Sequence, residues 1–362
     1  MNTNRLRVLI VGQGLAGTVL AETLQNLGLD VFVLDSAERR GASMAAAGVI
    51  NPITGKRFVK SWMLEELLPF AEVFYKKLGQ KLGVDIWHPR NIIRILSTVK
   101  EENDWISRSS LLEYCDYLEE CKNAADWSGL LQPGFRFGIL RRAAQVDLTK
   151  MIALFKQKLI ENGCFFEENF DFNAVEPVAD GIFYKKEKFD KIIFCEGWQA
   201  RENPFFKEID CWNLAKGEAL TVRIPSFSTD FMLKKNIMIA PLGGDVFWVG
   251  ATTDWDFEDE KPTDLGKNWL LDALKKVLIV PFEVTGQLSG VRPTIFDKRP
   301  VMGFLDKNPA IGMFNGMGTK GTMLAPFWAD VFAKHLAFGQ TLPEIVDFRR
   351  NFNRKATPKT DI

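Results

Sequence analysis

The clearest chemical signal in this 362-residue chain is three glycines near the amino terminus. Gly12, Gly14 and Gly17 form the run GQGLAG directly after the aliphatic stretch Arg7 to Val11. In such a run the first glycine permits a tight strand-to-helix turn and the second lets the backbone approach a pyrophosphate. The third lets helix and strand pack closely. Leu15 and Ala16 lie within this turn, and the helix that follows presents free N–H groups and the positive end of its dipole to phosphate. Asp35 closes the next apolar run, DVFVL, where a carboxylate accepts hydrogen bonds from ribose hydroxyls. In that setting the glycines predict dinucleotide binding. Alone they would read equally as a ligand-free glycine turn, and they do not separate FAD from NAD, although the acid disfavours NADP.

The elements that must position these residues are legible around them. Arg7–Val11 has the continuous apolar character of a strand buried on both faces. Thr18 to Leu27 carries Val19, Leu20, Leu24 and Leu27 at helical spacing, and Gly28 ends that helix. With the strand Asp30–Leu34 this completes a right-handed βαβ unit. Residues 36–61 are small and glycine-rich, then basic. Helices are predicted at Leu64–Leu82, Leu148–Asn162 and Asn268–Val277, with another running through Leu336. Strands are predicted at Ile92–Leu96 and Lys191–Cys195, and the segments EALTVRI, NIMIAPL and DVFWVGATT alternate as in an antiparallel sheet. The expected class is α/β (α+β overall), a Rossmann-like domain interleaved with a domain on a mainly antiparallel sheet.

Composition narrows the function classes. The 46 basic and 46 acidic side chains leave a formal net charge of zero, so no general electrostatic pull toward nucleic acid or membrane exists. Cys115, Cys121, Cys164, Cys195 and Cys211 form no CxxC pair, and only His88 and His335 are histidines, which argues against a metal site. Scattered, odd-numbered cysteines suit a reducing compartment. No apolar stretch approaches the roughly 20 residues of a membrane span. The apolar run at the amino terminus leads straight into the glycine motif rather than into a cleavage site. A cytoplasmic protein is expected.

Four further segments resemble the D-amino-acid oxidase-like FAD-dependent oxidoreductases, a family that includes glycine oxidase, D-amino-acid dehydrogenase, sarcosine oxidase and the oxidase domain of the tRNA wobble-uridine modification enzyme. They are GASMAAAGVINP (41–52), IIFCEGW (192–198), SGVRPTIFDKRPVMG (289–303) and NGMGTKGTMLAP (315–326). With GQGLAG they span nearly the whole chain in the family's order. The resemblance implies an FAD-binding domain at 1–85, 140–215 and 291–362, and a substrate domain at 86–139 and 216–290. It implies cofactor contacts at Ser43, Ala47 and Gly48 in the second loop, at Val175, at Gly197 and at Gly290. In the final loop it implies contacts at Gly316, Gly318, Thr319, Lys320, Gly321 and Thr322. Cys195–Glu196 departs from the family's usual Ala-Thr-Gly or Ala-Gly-Gly, and Cys195 reads as a packing residue.

The same resemblance implies oxidation of a carbon–nitrogen bond by hydride transfer to flavin N5. Arg292 matches the family's carboxylate-gripping arginine, a task suited to a planar fork. A structural ion pair with an acid such as Asp297 is the other reading. Lys320 is the candidate for the positive group at the flavin N1–O2 edge, against the reading of a solvated lysine. The GVRP segment and the final loop lack the cysteine by which some relatives attach their flavin, so a non-covalent FAD is expected. One or two of Phe247, Trp248, Trp255 and Phe257 are expected to line the pocket. His88 is given no catalytic role. The implied substrate is a small amine or amino acid, including an N-substituted glycine. The cluster Lys56, Arg57 and Lys60 suits RNA only if the chain acts like the tRNA-modifying relative, and equally suits cofactor phosphates or a solvated face. A 2-hydroxy-acid dehydrogenase and a non-catalytic electron-transfer subunit remain as alternatives on the same fold, and the oligomeric state is open.

Overall fold

The computed structural model describes residues 5–36, 41–120, 129–225, 227 and 230–350. Cys121 and the ends of the FAD-binding segments assigned at 1–4 and 351–362 lie outside the described residues, as do residues 37–40 of the small-residue stretch. Helices and strands mix throughout, as expected for an α/β protein. β1 (Arg7–Val11) lies in the interior of a six-stranded sheet because Val8, Leu9 and Ile10 are buried to 0% exposure. β2 (Asp30–Asp35) pairs with it in parallel on one side, and the strand Lys191–Phe194 does so on the other. Phe165–Glu167 and Ile311–Asn315 extend the parallel array outward, and Val301–Phe304 closes one edge antiparallel.

Seven helices cover and bridge the sheets among the described residues: α1 (Leu15–Asn26), α2 (Ala42–Ala45), α3 (Leu64–Leu82), α4 (Val99–Ser109), α5 (Leu148–Glu161), α6 (Asp264–Lys275) and α7 (Gly321–Phe338). α3 has the predicted bounds. α1 starts three residues before its predicted start, at Leu15, because the helix begins inside the glycine run rather than after it. α6 starts earlier as well. Thr263 caps it, its side chain accepting a hydrogen bond from the Gly266 N–H, so the polar residues before Asn268 belong to the first turn.

A second, eight-stranded sheet is formed by Glu283–Arg292, Ala215–Arg223, Val246–Gly250, Met238–Gly243, Phe231–Lys234, Asn91–Leu96, Arg136–Leu140 and Leu118–Glu120, in that order. Its pairings are antiparallel except for that of Phe231–Lys234 with Asn91–Leu96. The sequence reading missed Phe231–Lys234, which is only four residues long and has no alternating pattern. Trp87–Pro89 joins a separate small sheet with Ala144–Val146 and Val49–Ile50, so the stretch 86–139 does not enter the eight-stranded sheet whole. No described helix is long and apolar enough to cross a membrane. No cluster of three or more His, Cys, Asp or Glu able to hold a metal occurs among the described residues.

The junction of β1 and α1 is the tightest point of the fold. A Cβ on Gly17 would lie 1.8 Å from the Gly12 carbonyl oxygen, and one on Gly12 would lie 2.7 Å from that of Cys195. Gly12 also has φ +100°, a conformation open chiefly to glycine. We therefore expect Gly17→Ala to lower stability by about 1–3 kcal/mol, the ordinary cost of overpacking. A chemical-denaturation midpoint equal to that of the parent would contradict this contact.

Candidate active site

Three loops and two helix ends converge on one large cavity of about 710 Å³ at the carboxyl end of the parallel sheet. That volume falls within the roughly 300–1,000 Å³ of ligand pockets. α1 points its amino end into it, with no acidic residue in its first turn and no side-chain cap on Gly14. The Ser43 hydroxyl accepts a hydrogen bond from the Leu15 N–H at 3.0 Å and so docks the small-residue loop on the helix end. α7 brings its own amino end to the same space, and a Cβ on Gly321 would lie 3.0 Å from Leu15. Two positive helix ends facing one cavity suit a ligand rich in phosphate and acceptor oxygens. Asp35 stands in the cavity wall at the end of β2.

Most of the residues singled out in the sequence line this cavity: Gly12, Gly14, Leu15, Ala16, Asp35, Ser43, Ala47, Gly48, Gly197, Gly290, Arg292, Gly318, Thr319, Gly321 and Thr322. Four do not. Gly17 is set back because its place is against Gly12. Gly316 is buried, with Ile295 and Val301 packed where a Cβ would go. Val175 starts a three-stranded meander that packs on a buried cluster around Phe194 and Phe206, and the chain reaches the cavity earlier, at Glu168, Asn169 and Phe170. Lys320 is neither a solvated surface lysine nor a wall of this cavity. Its ammonium donates to the Ser61 hydroxyl at 3.1 Å and the Thr54 hydroxyl at 3.3 Å, and it lines a neighbouring cavity instead. Burial and the nearby charge of Lys298 hold its pKa below the ordinary lysine value.

Hydrogen bonds over long sequence separations fix the walls. The Trp248 indole N–H donates to the Ala45 carbonyl at 2.9 Å, tying the eight-stranded sheet to α2. The buried Gln145 amide donates to the carbonyls of Ala47 and Pro241 at 3.0 and 2.8 Å. The Asn315 amide donates to the Gly197 carbonyl at 2.8 Å, and Tyr75 donates to the Thr322 carbonyl at 2.8 Å. Of the four aromatics weighed from sequence, only Trp248 lines the cavity. Phe247 is in the core, while Trp255 is 54% exposed. Lys60 is engaged by Glu65 and lies over the rings of Tyr114 and Tyr117.

Arg292 is the electrostatic anomaly of the cavity. Its guanidinium donates to the Thr252 carbonyl at 3.1 Å and the Lys216 carbonyl at 3.5 Å. No carboxylate lies within ion-pair distance of it among the described residues. Asp297, the structural partner considered from sequence, is bound to Arg350 at 2.9 Å. Burial pushes the Arg292 pKa down, though an arginine stays charged. The neighbouring charges are closed on one another. Lys216 lies 3.8 Å from the buried Glu218, which also accepts hydrogen bonds from Thr263 and Gln287. Sequence reading missed Gly217, whose Cβ would lie 1.9 Å from the Arg292 guanidinium. The small residue between two charged ones in Lys216–Gly217–Glu218 was the available signal.

Comparison with known proteins follows the same lines. Residues 7–335 match the model of the family described as DAO, FAD dependent oxidoreductase. The chain is 22% identical over 369 residues to the tRNA 5-methylaminomethyl-2-thiouridine biosynthesis bifunctional protein of Marinobacter nauticus. That match covers 91% of this chain and 55% of the relative, so the chain spans about half of that protein's length. The fold is similar to that of glycine oxidase from Geobacillus kaustophilus, with TM-score 0.77, 20% identity, and 93% and 96% of the two chains covered. Iminodiacetate oxidase from Chelativorans sp. BNC1 has TM-score 0.75 at 18% identity, with 93% and 97% covered.

Asp35→Ala tests the dinucleotide end of the cavity. A carboxylate hydrogen-bonded to ribose hydroxyls contributes about 1.5–3 kcal/mol per bond, so flavin affinity should fall by about an order of magnitude or more. Flavin release followed by fluorescence, with circular dichroism to check the fold, measures this. Unchanged affinity would remove Asp35 from the ribose.

Proposed function

Because the chain belongs to the DAO family of FAD dependent oxidoreductases, we propose that it oxidises the carbon–nitrogen bond of an amino acid or N-substituted glycine, with Arg292 gripping the substrate carboxylate. The observation that carries this reading is the part-buried Arg292 guanidinium, which faces the cavity with carbonyls as its only described partners. A buried cation left without an anion is costly, and a substrate carboxylate offsets that cost by two parallel hydrogen bonds. The cavity accommodates FAD, with the ends of α1 and α7 and Asp35 as its holding groups, and bound FAD supplies the hydride acceptor at N5.

The chain's own residues then have two tasks. Arg292 orients the substrate so that the reacting carbon is presented in one direction. The walls tied by Trp248, Gln145 and Asn315 keep that geometry fixed. FAD is held without a covalent bond. Residues 289–303 and 315–326 carry no cysteine, and Cys195, which does line the cavity, is buried with its thiol pKa well above the ordinary value. Such a thiol stays protonated and poorly nucleophilic.

Anaerobic bleaching of the flavin against glycine, N-methylglycine, larger amino acids, simple amines and 2-hydroxy acids tests the proposal. Amino-acid substrates should bleach the flavin and release ammonia or a shorter amine. Bleaching by hydroxy acids alone, or by none of the panel, would replace this reading with the dehydrogenase or the electron-transfer protein. Within a responsive panel, Arg292→Lys should lower kcat/KM by about tenfold or more for a carboxylate substrate, or ~1.4 kcal/mol of transition-state binding. A matching amine without the carboxylate should lose far less. Gly217→Ala leaves Arg292 in the sequence but displaces its guanidinium, and should give the same pattern. Equal losses on both substrates would assign Arg292 to the fold.

A further inference from the structure

Beside the large cavity lies a second one of about 360 Å³, and the two share Val49, Lys234, Met238 and Thr319 as common wall. Three cationic side chains line it: Arg94 from Asn91–Leu96, Lys234 from Phe231–Lys234, and Lys320 at the start of α7. No aspartate or glutamate lines it among the described residues. Asn51 and Thr54 add polar groups, while Phe58, Trp105 and Met323 contribute apolar surface.

The cations are poorly compensated where they stand. The Lys234 ammonium has one hydrogen bond, to the Asn236 carbonyl, at the long distance of 3.4 Å. Lys320 meets only hydroxyls. Arg94 donates one N–H to the Lys235 carbonyl and lies 3.6 Å from Glu101, but its Nε is buried with no hydrogen-bond partner among the described residues. Burial and the neighbouring Arg94 charge push Lys234 down to about 8. Sequestering a lysine against an arginine, with no carboxylate between them, is unfavourable unless an anion enters.

We propose that the second cavity is an anion subsite in which Lys234 and Arg94, faced by Lys320, hold a second carboxylate or a phosphate of the same substrate that Arg292 grips. The inference rests on the amino-acid oxidation reading and narrows its substrate class to molecules carrying two anionic groups. Of the two, Arg292 fixes the reacting end and Lys234 with Arg94 selects the far end. Glycine itself fills the first role and leaves the second cavity without its anion.

Equilibrium binding to the flavin-loaded protein tests this without requiring turnover. Glutarate, butyrate and inorganic phosphate serve as probes in calorimetric titrations. In the parent protein glutarate should bind about tenfold or more tightly than butyrate, the effect expected of one added charge-assisted contact. Lys234→Met and Arg94→Gln should each abolish that preference, and Arg292→Lys should weaken both ligands. Phosphate that competes with glutarate but not with butyrate identifies a phosphate-bearing substrate. Phosphate that does not compete identifies a dicarboxylate. Removing a buried, unpaired charge should not lower the melting temperature of Lys234→Met. If that variant does melt early, Lys234→Gln takes its place in the same titrations. Equal affinity for glutarate and butyrate in the parent overturns the subsite, as does a preference that survives both Lys234→Met and Arg94→Gln. A glutarate preference in a protein that no amino acid bleaches would leave the subsite standing and remove the oxidation reading.

Discussion

The contact between Gly17 and the Gly12 carbonyl decides what the rest of the structure is able to do. With 1.8 Å between that oxygen and the place a Cβ would occupy, no side chain fits. The close approach lets α1 start at Leu15, immediately beyond β1, with its amino end open toward the cavity. α7 then packs against α1 through Gly321 and Leu15, so the second helix end is placed by the first. The small-residue loop docks on the same point through Ser43. Two helix dipoles and one loop thus converge because a single backbone contact permits it.

The charges of the site follow a different rule. Ionic groups near Arg292 are arranged as closed sets: Lys216 with Glu218, Glu218 with the cap of α6, and Asp297 with Arg350. Against that background the incompletely matched cations Arg292, Lys234 and Lys320 stand out as a group, and each lines one or both cavities. Pairing the other ionic groups while leaving these incompletely matched concentrates the electrostatic cost at the two cavities.

How much of this was legible in the sequence depends on the range of the interactions involved. The glycine run, Asp35 and the helix Leu64–Leu82 are local patterns, set by backbone geometry and 3.6-residue periodicity, and they were read where they occur. Arg292 was found through its flanking glycine and proline. Lys320 was expected at the flavin N1–O2 edge; its ammonium instead bonds Thr54 and Ser61, more than 250 residues earlier, and lines the second cavity. Val175 was expected at the cofactor, whereas the chain meets the cavity at Glu168 to Phe170 and has already turned into the meander. Lys234 gave only the weak signal of a lysine ending an apolar four-residue strand. Its neighbour Arg94 comes from a strand 140 residues away, and no local pattern announces such a pairing.

The strand order of the six-stranded sheet has a consequence for how the molecule is made. β1 is made before its partner strand Lys191–Phe194, and well before that strand's partner Ile311–Asn315. One edge of β1 therefore stays unpaired until Lys191–Phe194 has been made, and the face of α1 that α7 covers waits longer still. Contacts of such sequence separation are slow to form, because the intervening loop entropy is lost before they contribute. An emerging chain of this kind presents a persistent aggregation-prone edge.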